Sequence, residues 1–157
     1  MTTAMCPGSF DPPTNGHIDV IRRCAAAFER VVVAVVSNPS KTPTFDLEER
    51  MQLLDACLPD LANYEAVAFS GLLVDFAERH DVDVVVKGLR ASGDFDYELQ
   101  MAQMNQHLRG METVFMPSSP QWSFVSSSLV REVARLGGTV DELVPGPVAA
   151  ALKEKLS

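Results

Sequence analysis

The sequence has few cysteines and few basic residues, and both shortages narrow the class of protein. Its three cysteines are odd in number and show neither CxxC nor zinc-finger spacing, which argues against a disulfide framework and a structural zinc. Lysines and arginines number 13 against 21 aspartates and glutamates, giving a net charge of −8. Nucleic acid and anionic membranes both require a basic face, so broad binding to either is not expected. Reduced thiols predict a cytoplasmic protein.

Long apolar runs and several familiar catalytic motifs are also missing. No run approaches the roughly 20 apolar residues of a membrane span, and no basic segment followed by an apolar one opens the chain, so we expect no secretory signal. The sequence contains no GxGxxG, no GxxxxGK(S/T) phosphate loop and no GxSxG nucleophile elbow. No activated nucleophile and no cluster of zinc ligands stands out. The means of catalysis that remain are the positioning of substrates and the stabilisation of charge in the transition state. These are the usual means of phosphoryl and nucleotidyl transfer, and they favour direct in-line attack without a covalent intermediate.

What is present is an alternation of β-branched runs and helical patterns. Runs such as Arg30–Val36 suit strands that are covered on both faces. The patterns predict strands over 4–6, 30–36, 64–69, 82–86 and 112–116, and helices over 16–29, from 46 to before 59, 72–80, 94–108, 126–136, 141–144 and 147–156. Alternation of strands and helices predicts a Rossmann-like, doubly wound, five-stranded parallel sheet. At 157 residues we expect a single domain, with a C-terminal helical segment from about 139.

The first loop, Cys6–His17, joins the first strand to the first helix and carries the most unusual residues. Pro7 and Gly8 should end the strand, and His17 falls in or near the first turn of the helix. The free N–H groups and the dipole of a helix start favour an anion there. Taken alone, a Gly-His pair at a helix start is more often a plain turn than a site.

Residues at other predicted strand ends strengthen the case for an anion site. Lys41 follows the second strand, Lys87 and Arg90 follow the fourth, and Ser126–Ser128 begins the helix after the fifth. Because the carboxyl ends of parallel strands meet at one edge of the sheet, these residues should converge with His17. Each cation alone would be a solvated surface charge, and the serines ordinary helix caps. Together they supply the fixed charge and the donors that a polyphosphate needs.

The sequence resembles the nucleotidyltransferase superfamily that carries the (H/T)xGH signature. Thr14–His17 matches that signature, and Phe124–Val130 matches a second, serine-rich signature before a helix. Lys87–Arg90 and Tyr97–Ala102 resemble one branch in particular, the bacterial phosphopantetheine adenylyltransferases. The resemblance extends from residue 6 to about 145.

This resemblance implies transfer of AMP from ATP to 4′-phosphopantetheine, giving dephospho-coenzyme A and pyrophosphate, with Mg²⁺ carried by ATP. It also implies a homohexamer and feedback inhibition by coenzyme A. The catalytic residues that it implies are His17, Lys41 and Arg90. Those implied for ATP are Ser9, Phe10, His17, Gly88, Leu89, Arg90, Glu98, Trp122, Ser123, Phe124, Val125, Ser126, Ser127 and Ser128. Those implied for phosphopantetheine are Ser9, Lys41, Leu73 and Lys87. No protein ligand to a metal is implied.

The predicted helix over 94–108 bears on assembly. It carries an apolar stripe of Tyr97, Met101, Met104 and Leu108, beside a second stripe. With 46% apolar residues in the chain, the two stripes exceed what one small domain need bury. The composition therefore favours an oligomer, while the hexamer itself is implied only by the resemblance.

Two other kinds of function stay open. Another transferase of the superfamily, such as a glycerol-3-phosphate cytidylyltransferase or a nicotinate mononucleotide adenylyltransferase, would keep Thr14–His17 but lack the pattern of 87–101. A non-catalytic adenine-nucleotide sensor on the same fold would bind ATP without turnover. Pro13, Lys87 and Trp122 depart from the branched aliphatic residue, the arginine and the tyrosine common at these positions, and none of them removes a proposed catalytic group.

Overall fold

The computed structural model describes residues 2–38 and 42–157. Its centre is a parallel sheet of β1 (Thr3–Gly8), β2 (Arg30–Val36), β3 (Tyr64–Phe69), β4 (Val84–Leu89) and β5 (Glu112–Pro117). Its helices are α1 (Asn15–Ala27), α2 (Leu47–Cys57), α3 (Leu73–Arg79), α4 (Ser92–Arg109), α5 (Ser127–Arg135) and α6 (Gly146–Leu156). A single 3₁₀ turn, Pro120–Trp122, precedes α5 in the described part of the chain.

The strand order is β3-β2-β1-β4-β5. The chain builds outward from β1 through β2 to β3, then crosses back and builds β4 and β5 on the other side. The order therefore reverses between β1 and β4, where the loops at the carboxyl ends diverge and leave a crevice. This confirms the predicted five-stranded, doubly wound sheet of Rossmann-like type.

The sheet is covered on both faces, which explains its continuous β-branched runs. Successive side chains of a strand point to opposite faces. On one face Val33 and Val35 join a core with α1, α2, α5 and α6, and on the other Val32 packs with Phe76 of α3. Because both faces are apolar, β2 shows no alternation of polar and apolar residues. Within the described residues, no helix combines the length and the apolar character needed to cross a bilayer.

Some predicted bounds of strands and helices were wrong, chiefly at the carboxyl ends of the strands. Pro7 and Gly8 continue β1 instead of ending it, and Lys87–Leu89 belongs to β4 rather than to the loop beyond it. Parallel neighbours support these extensions, since Gly8 lies opposite Val35, and β4 stays paired with β5 through Leu89. Pairing with a neighbouring strand thus overrides the turn preference of Pro-Gly. Residues 141–144, predicted as a short turn of helix, form a non-helical turn that ends in a bend.

Candidate active site

Thr14 and His17 cap the start of α1 reciprocally. The Thr14 hydroxyl accepts the His17 backbone N–H at 3.3 Å, and the Thr14 backbone N–H donates to His17 Nδ1 at 3.0 Å. This capping box satisfies two donors that the helix start leaves free. It also fixes the tautomer of the imidazole, because an Nδ1 that accepts a hydrogen bond leaves the proton of the neutral ring on Nε2.

The imidazole of His17 stays neutral in this position. Burial, and to a smaller extent the positive charge of Arg90, lowers its pKa to about 4. The His17 and Phe10 rings pack in a T-shaped arrangement, with the ring centroids 5.0 Å apart. At neutral pH His17 is therefore a hydrogen-bond donor through Nε2 and has no proton-transfer equilibrium near 7.

The backbone at Phe10 holds the first loop in an unusual conformation. Phe10 has a φ of 51°, in the left-handed region that a bulky residue rarely adopts. Its ring lies so close to Gly8 that a Cβ at Gly8 would meet it at 3.0 Å. Strain of this kind persists only where the surroundings enforce it, and it concentrates at functional sites.

A cavity of about 320 Å³ opens at the crevice between β1 and β4. Three segments line it: the first loop with α1, the end of β4 with the start of α4, and the segment leading into α5. The lining residues are Cys6, Pro7, Gly8, Ser9, Phe10, Thr14, Gly16, His17, Val20, Ile21, Val86, Lys87, Gly88, Arg90, Glu98, Ser118, Val125, Ser126, Ser127 and Ser128. Most of the residues predicted for ATP therefore do converge. Four of the predicted residues do not line the cavity: Leu89 and Phe124 adjoin lining residues in the chain, whereas Trp122 and Ser123 lie two or three residues before Val125.

Arg90 and Lys87 are the cations that the structure places in this wall. Arg90 donates to the carbonyl of Val125 at 3.1 Å and pairs with Asp94 at 3.4 Å. Lys87 pairs with Glu98 at 3.2 Å. Arg90 is thus held beside the segment that leads into α5, and Lys87 is held in the cavity wall by a carboxylate of α4.

The serines at the start of α5 hold the helix in place. The Ser126 hydroxyl caps α5 by accepting the Leu129 N–H at 3.1 Å, and the Ser127 hydroxyl donates to the carbonyl of Pro12 at 2.7 Å. Arg131, one turn further on, donates to the carbonyl of Asp11. These bonds fasten α5 to the first loop. The backbone N–H groups of Ser127 and Ser128, which a helix cannot satisfy internally, remain available to an anion at this corner.

A second cavity, of about 130 Å³, adjoins the first. Its lining residues are Leu73, Val85, Lys87, Tyr97, Glu98, Met101, Ala102, Asn105 and Thr113. Because Lys87 and Glu98 line both cavities, their ion pair forms the partition between them. Leu73, predicted for phosphopantetheine, lies here rather than in the larger cavity.

The sequence did not single out Asn105 and Thr113 in this second cavity. Asn105 is only 7% exposed, and the Thr113 hydroxyl is buried without a hydrogen-bond partner. An unpartnered buried hydroxyl costs free energy unless a ligand supplies a partner. The signal in the sequence was weak, because an asparagine within a helix and a threonine within a strand are ordinary at exposed positions.

Lys41, predicted for catalysis and for phosphopantetheine, lies outside the described residues. The residues just after it return to the first loop. There the Asp11 carboxylate accepts the backbone N–H groups of Thr44 and Phe45 at 2.9 and 2.8 Å. Asp46 then caps α2, as predicted, in a capping box with Glu49.

The described residues that line the larger cavity do not supply a set of metal ligands. Among the described residues that line it, Glu98 is the single carboxylate, and Lys87 neutralises it. Nor does the described part of the chain gather three or more His, Cys, Asp or Glu side chains in a group that could hold a metal ion. The described residues therefore do not form a site for a resident Mg²⁺.

Together, the fold and the cavity define a Rossmann-like α/β protein with a ligand-sized cavity where the strand order reverses. The comparisons agree with this class. A family model described as cytidylyltransferase-like matches residues 5–133. A curated protein of Nocardioides sp. (strain ATCC BAA-499 / JS614), named phosphopantetheine adenylyltransferase, is 53% identical over 157 residues, which are 100% of this chain and 99% of that protein. The chain therefore belongs to the cytidylyltransferase-like family and, within it, to the phosphopantetheine adenylyltransferases.

A solved structure gives the same fold. The crystal structure of a protein from Vibrio parahaemolyticus, provisionally described as a nicotinate-nucleotide adenylyltransferase, matches with a TM-score of 0.70. It is 20% identical, and the match covers 99% of this chain and 95% of the other. At that identity the likeness concerns the fold alone.

Proposed function

We propose that the chain, acting as one domain, transfers AMP from ATP to 4′-phosphopantetheine, giving dephospho-coenzyme A and pyrophosphate. This would be the penultimate step of coenzyme A synthesis. The observation that carries the proposal is the pair of adjoining cavities that share Lys87 and Glu98. Two substrates that react must meet, and a nucleotide site next to a second, partly apolar cavity suits ATP beside an acceptor with a long arm.

The two cavities suggest how the substrates divide the site. ATP would lie in the larger cavity, with its phosphates near His17, Arg90 and the start of α5. The acceptor phosphate would reach Ser9 and Lys87, while the pantetheine arm would extend toward Leu73 in the second cavity. We also keep Lys41 as a proposed ligand of the acceptor phosphate.

The chemistry proposed is a single in-line displacement. An oxygen of the acceptor phosphate attacks the α-phosphorus of ATP, a new P–O bond forms, and the bond to pyrophosphate breaks. His17 Nε2–H and the Arg90 guanidinium would stabilise the charge that builds on the α-phosphate oxygens. The hydroxyls of Ser126 and Ser127 are engaged in capping and in the bond to Pro12, which fits a mechanism without an enzyme nucleophile. Mg²⁺ would enter with ATP, bound by its phosphates and by water.

Pyrophosphate release tests this function directly. The protein is incubated with ATP and Mg²⁺, together with 4′-phosphopantetheine, glycerol 3-phosphate or nicotinate mononucleotide. We expect release only with phosphopantetheine, whereas preference for either other acceptor would replace the proposal by another transferase of the superfamily. ATP binding without release would indicate a nucleotide sensor. Protein that becomes adenylated without any acceptor would contradict direct transfer.

Replacing Lys87 with alanine should weaken acceptor binding while the fold stays intact. The Lys87 ammonium is the cation at the partition between the cavities, and a charged hydrogen bond to phosphate contributes about 1.5–3 kcal/mol. We therefore expect the KM for phosphopantetheine to rise about tenfold or more. Glu98→Gln is the matched control, because it removes the same ion pair but keeps the cation. If Lys87→Ala saturates with acceptor as the parent does, Lys87 does not bind the acceptor phosphate.

We further propose that the protein is a homohexamer. The α4 stripe is exposed, with Tyr97 64% and Met104 51% accessible, and it lies beside the edge strand β5. An exposed apolar face next to an unpaired strand edge is typical of a subunit contact. Light scattering at micromolar concentration should give six chains, and Met104→Asp should lower the mass. A monomer would contradict the proposal.

Coenzyme A inhibition and a cytoplasmic location complete the proposed function. Coenzyme A contains the pantetheine arm of the acceptor and the adenine nucleotide of ATP, so it could span both cavities and compete with either substrate. All three cysteines are free and buried, which fits a reducing compartment.

A further inference from the structure

The first turn of α2 contains a buried arginine that the proposed chemistry does not use. Arg50 is 5% exposed, and its guanidinium donates to three backbone carbonyls. Nη1 reaches Ser9 at 2.7 Å and Val36 at 3.0 Å, and Nε reaches Asp46 at 3.3 Å. These carbonyls belong to the first loop, to the last residue of β2 and to the cap of α2. One side chain thus ties together three segments that meet only at this end of the sheet.

The charge of Arg50 is not neutralised by a neighbouring acid. In the part of the chain that the structure describes, no carboxylate forms an ion pair with it. Two acids close in the chain to its hydrogen-bond partners make other contacts: the Asp11 carboxylate accepts two backbone N–H groups, and Glu49 pairs with Lys155. Carbonyls satisfy the donors of a guanidinium but carry no net charge. A buried charge in this state is costly, and an anion placed beside it would reduce the cost.

The position of Arg50 indicates which anion it serves. Ser9, whose carbonyl accepts from Arg50, lines the larger cavity. Arg50 reaches the first loop from α2, which packs against β2 and β3, whereas Arg90 directly follows β4 on the other side of β1. We propose that Arg50 is a positioning residue for the acceptor phosphate: it holds Ser9 and the end of β2 in one arrangement and adds positive potential there. This inference rests on the proposed function, because it assigns the acceptor phosphate to Ser9.

Steady-state kinetics of Arg50→Met test the inference. Methionine keeps the unbranched stem but removes the charge and all three donated hydrogen bonds. We expect the KM for phosphopantetheine to rise about tenfold, as for the loss of a charged hydrogen bond, with a change of less than about threefold in the KM for ATP. If the two KM values rise equally, or if only kcat falls, Arg50 does not position the acceptor.

Asn63→Ala is the control for a loss of stability alone. Asn63 directly precedes β3, at the amino ends of the strands and so at the end of the sheet opposite the cavity. Its side-chain amide donates to the carbonyls of Ala25 and Phe28 at 2.9 and 3.0 Å. It therefore matches Arg50 in holding backbone carbonyls but lies far from the cavity. The melting temperature of the Asn63→Ala variant should fall, while its KM values for phosphopantetheine and for ATP stay at the parent's level. An equal rise in acceptor KM in Asn63→Ala would show that the effect of Arg50→Met is only structural.

Arg50→Lys separates charge from hydrogen bonding and remains informative if Arg50→Met does not fold. Lysine keeps the charge but loses the planar fork that reaches Ser9 and Val36 together. The acceptor KM of Arg50→Lys should lie between those of the parent and of Arg50→Met. If Arg50→Met is insoluble, the acceptor KM of Arg50→Lys should still exceed that of the parent. An acceptor KM equal to the parent's would overturn the positioning role. Lack of turnover by the parent protein would refute the proposed function instead, before any variant is compared.

Discussion

Replacing His17 with alanine should lower the maximal rate of adenylyl transfer by at least ~10²-fold, as the loss of one preorganised transition-state donor does. The neutral imidazole lies in the cavity wall with its proton on Nε2, because Nδ1 accepts the Thr14 N–H. Alanine removes this donor at the point where charge would build on the α-phosphate. The kcat measured from pyrophosphate release at saturating substrates gives the effect.

The control for this prediction must reproduce the damage to the helix start. His17→Ala also breaks the capping box, which costs α1 about 1 kcal/mol of stability. Thr14→Ala removes the capping hydroxyl but keeps the imidazole and the backbone N–H that orients it. Its rate should fall far less than that of His17→Ala. Equal losses in the two variants, or a near-normal rate in His17→Ala, would exclude His17 as a transition-state donor.

The sequence predicts the architecture well because its signals are local. β-branched runs mark the strands, and the capping residue Asp46 marks the start of α2 within its own turn. Prediction from the sequence fails where contact with a segment distant in the chain decides the local structure. Lys87 was expected in a loop, but pairing with β5 keeps it in the strand. There it lines both cavities, which no local pattern of charge could indicate.

The candidate site could be predicted only in part, for the same reason. Parallel topology alone brings His17, Arg90 and the start of α5 to one edge, and the structure does bring them together. The tautomer and the lowered pKa of His17 depend on a hydrogen bond and on burial that appear only in the folded chain. Arg50 was missed because its position among other charged residues in α2 resembles a solvated helix face. Its actual partners are carbonyls up to 41 residues away.

Replacing Arg90 with glutamine should also lower kcat, by about 10²-fold or more. Arg90 offers a fixed charge and several donors at the cavity, held by Val125 and Asp94. A guanidinium loses little entropy when it binds a phosphate, and its charge-assisted bonds are about twice as strong as neutral ones. Arg90→Lys should recover part of the rate, because it keeps the charge but loses the fork. A rate for Arg90→Gln within a few fold of the parent would exclude a catalytic role.

Arg90→Gln should also change the pKa of His17, and this change can be measured without any turnover of substrate. Burial and the charge of Arg90 both lower the pKa of His17, to about 4, so the neutral donor form is lost only as the pH falls through that value. Arg90→Gln removes the second cause and leaves the first, so the pKa should rise toward 6.5 without reaching it. Arg90→Lys keeps a positive charge and should hold the pKa near that of the parent. NMR titration of the His17 ring protons distinguishes the variants. A His17 pKa that is the same in Arg90→Gln and in the parent would mean that Arg90 does not act on the imidazole, and the two residues would then have to bind the α-phosphate as independent donors.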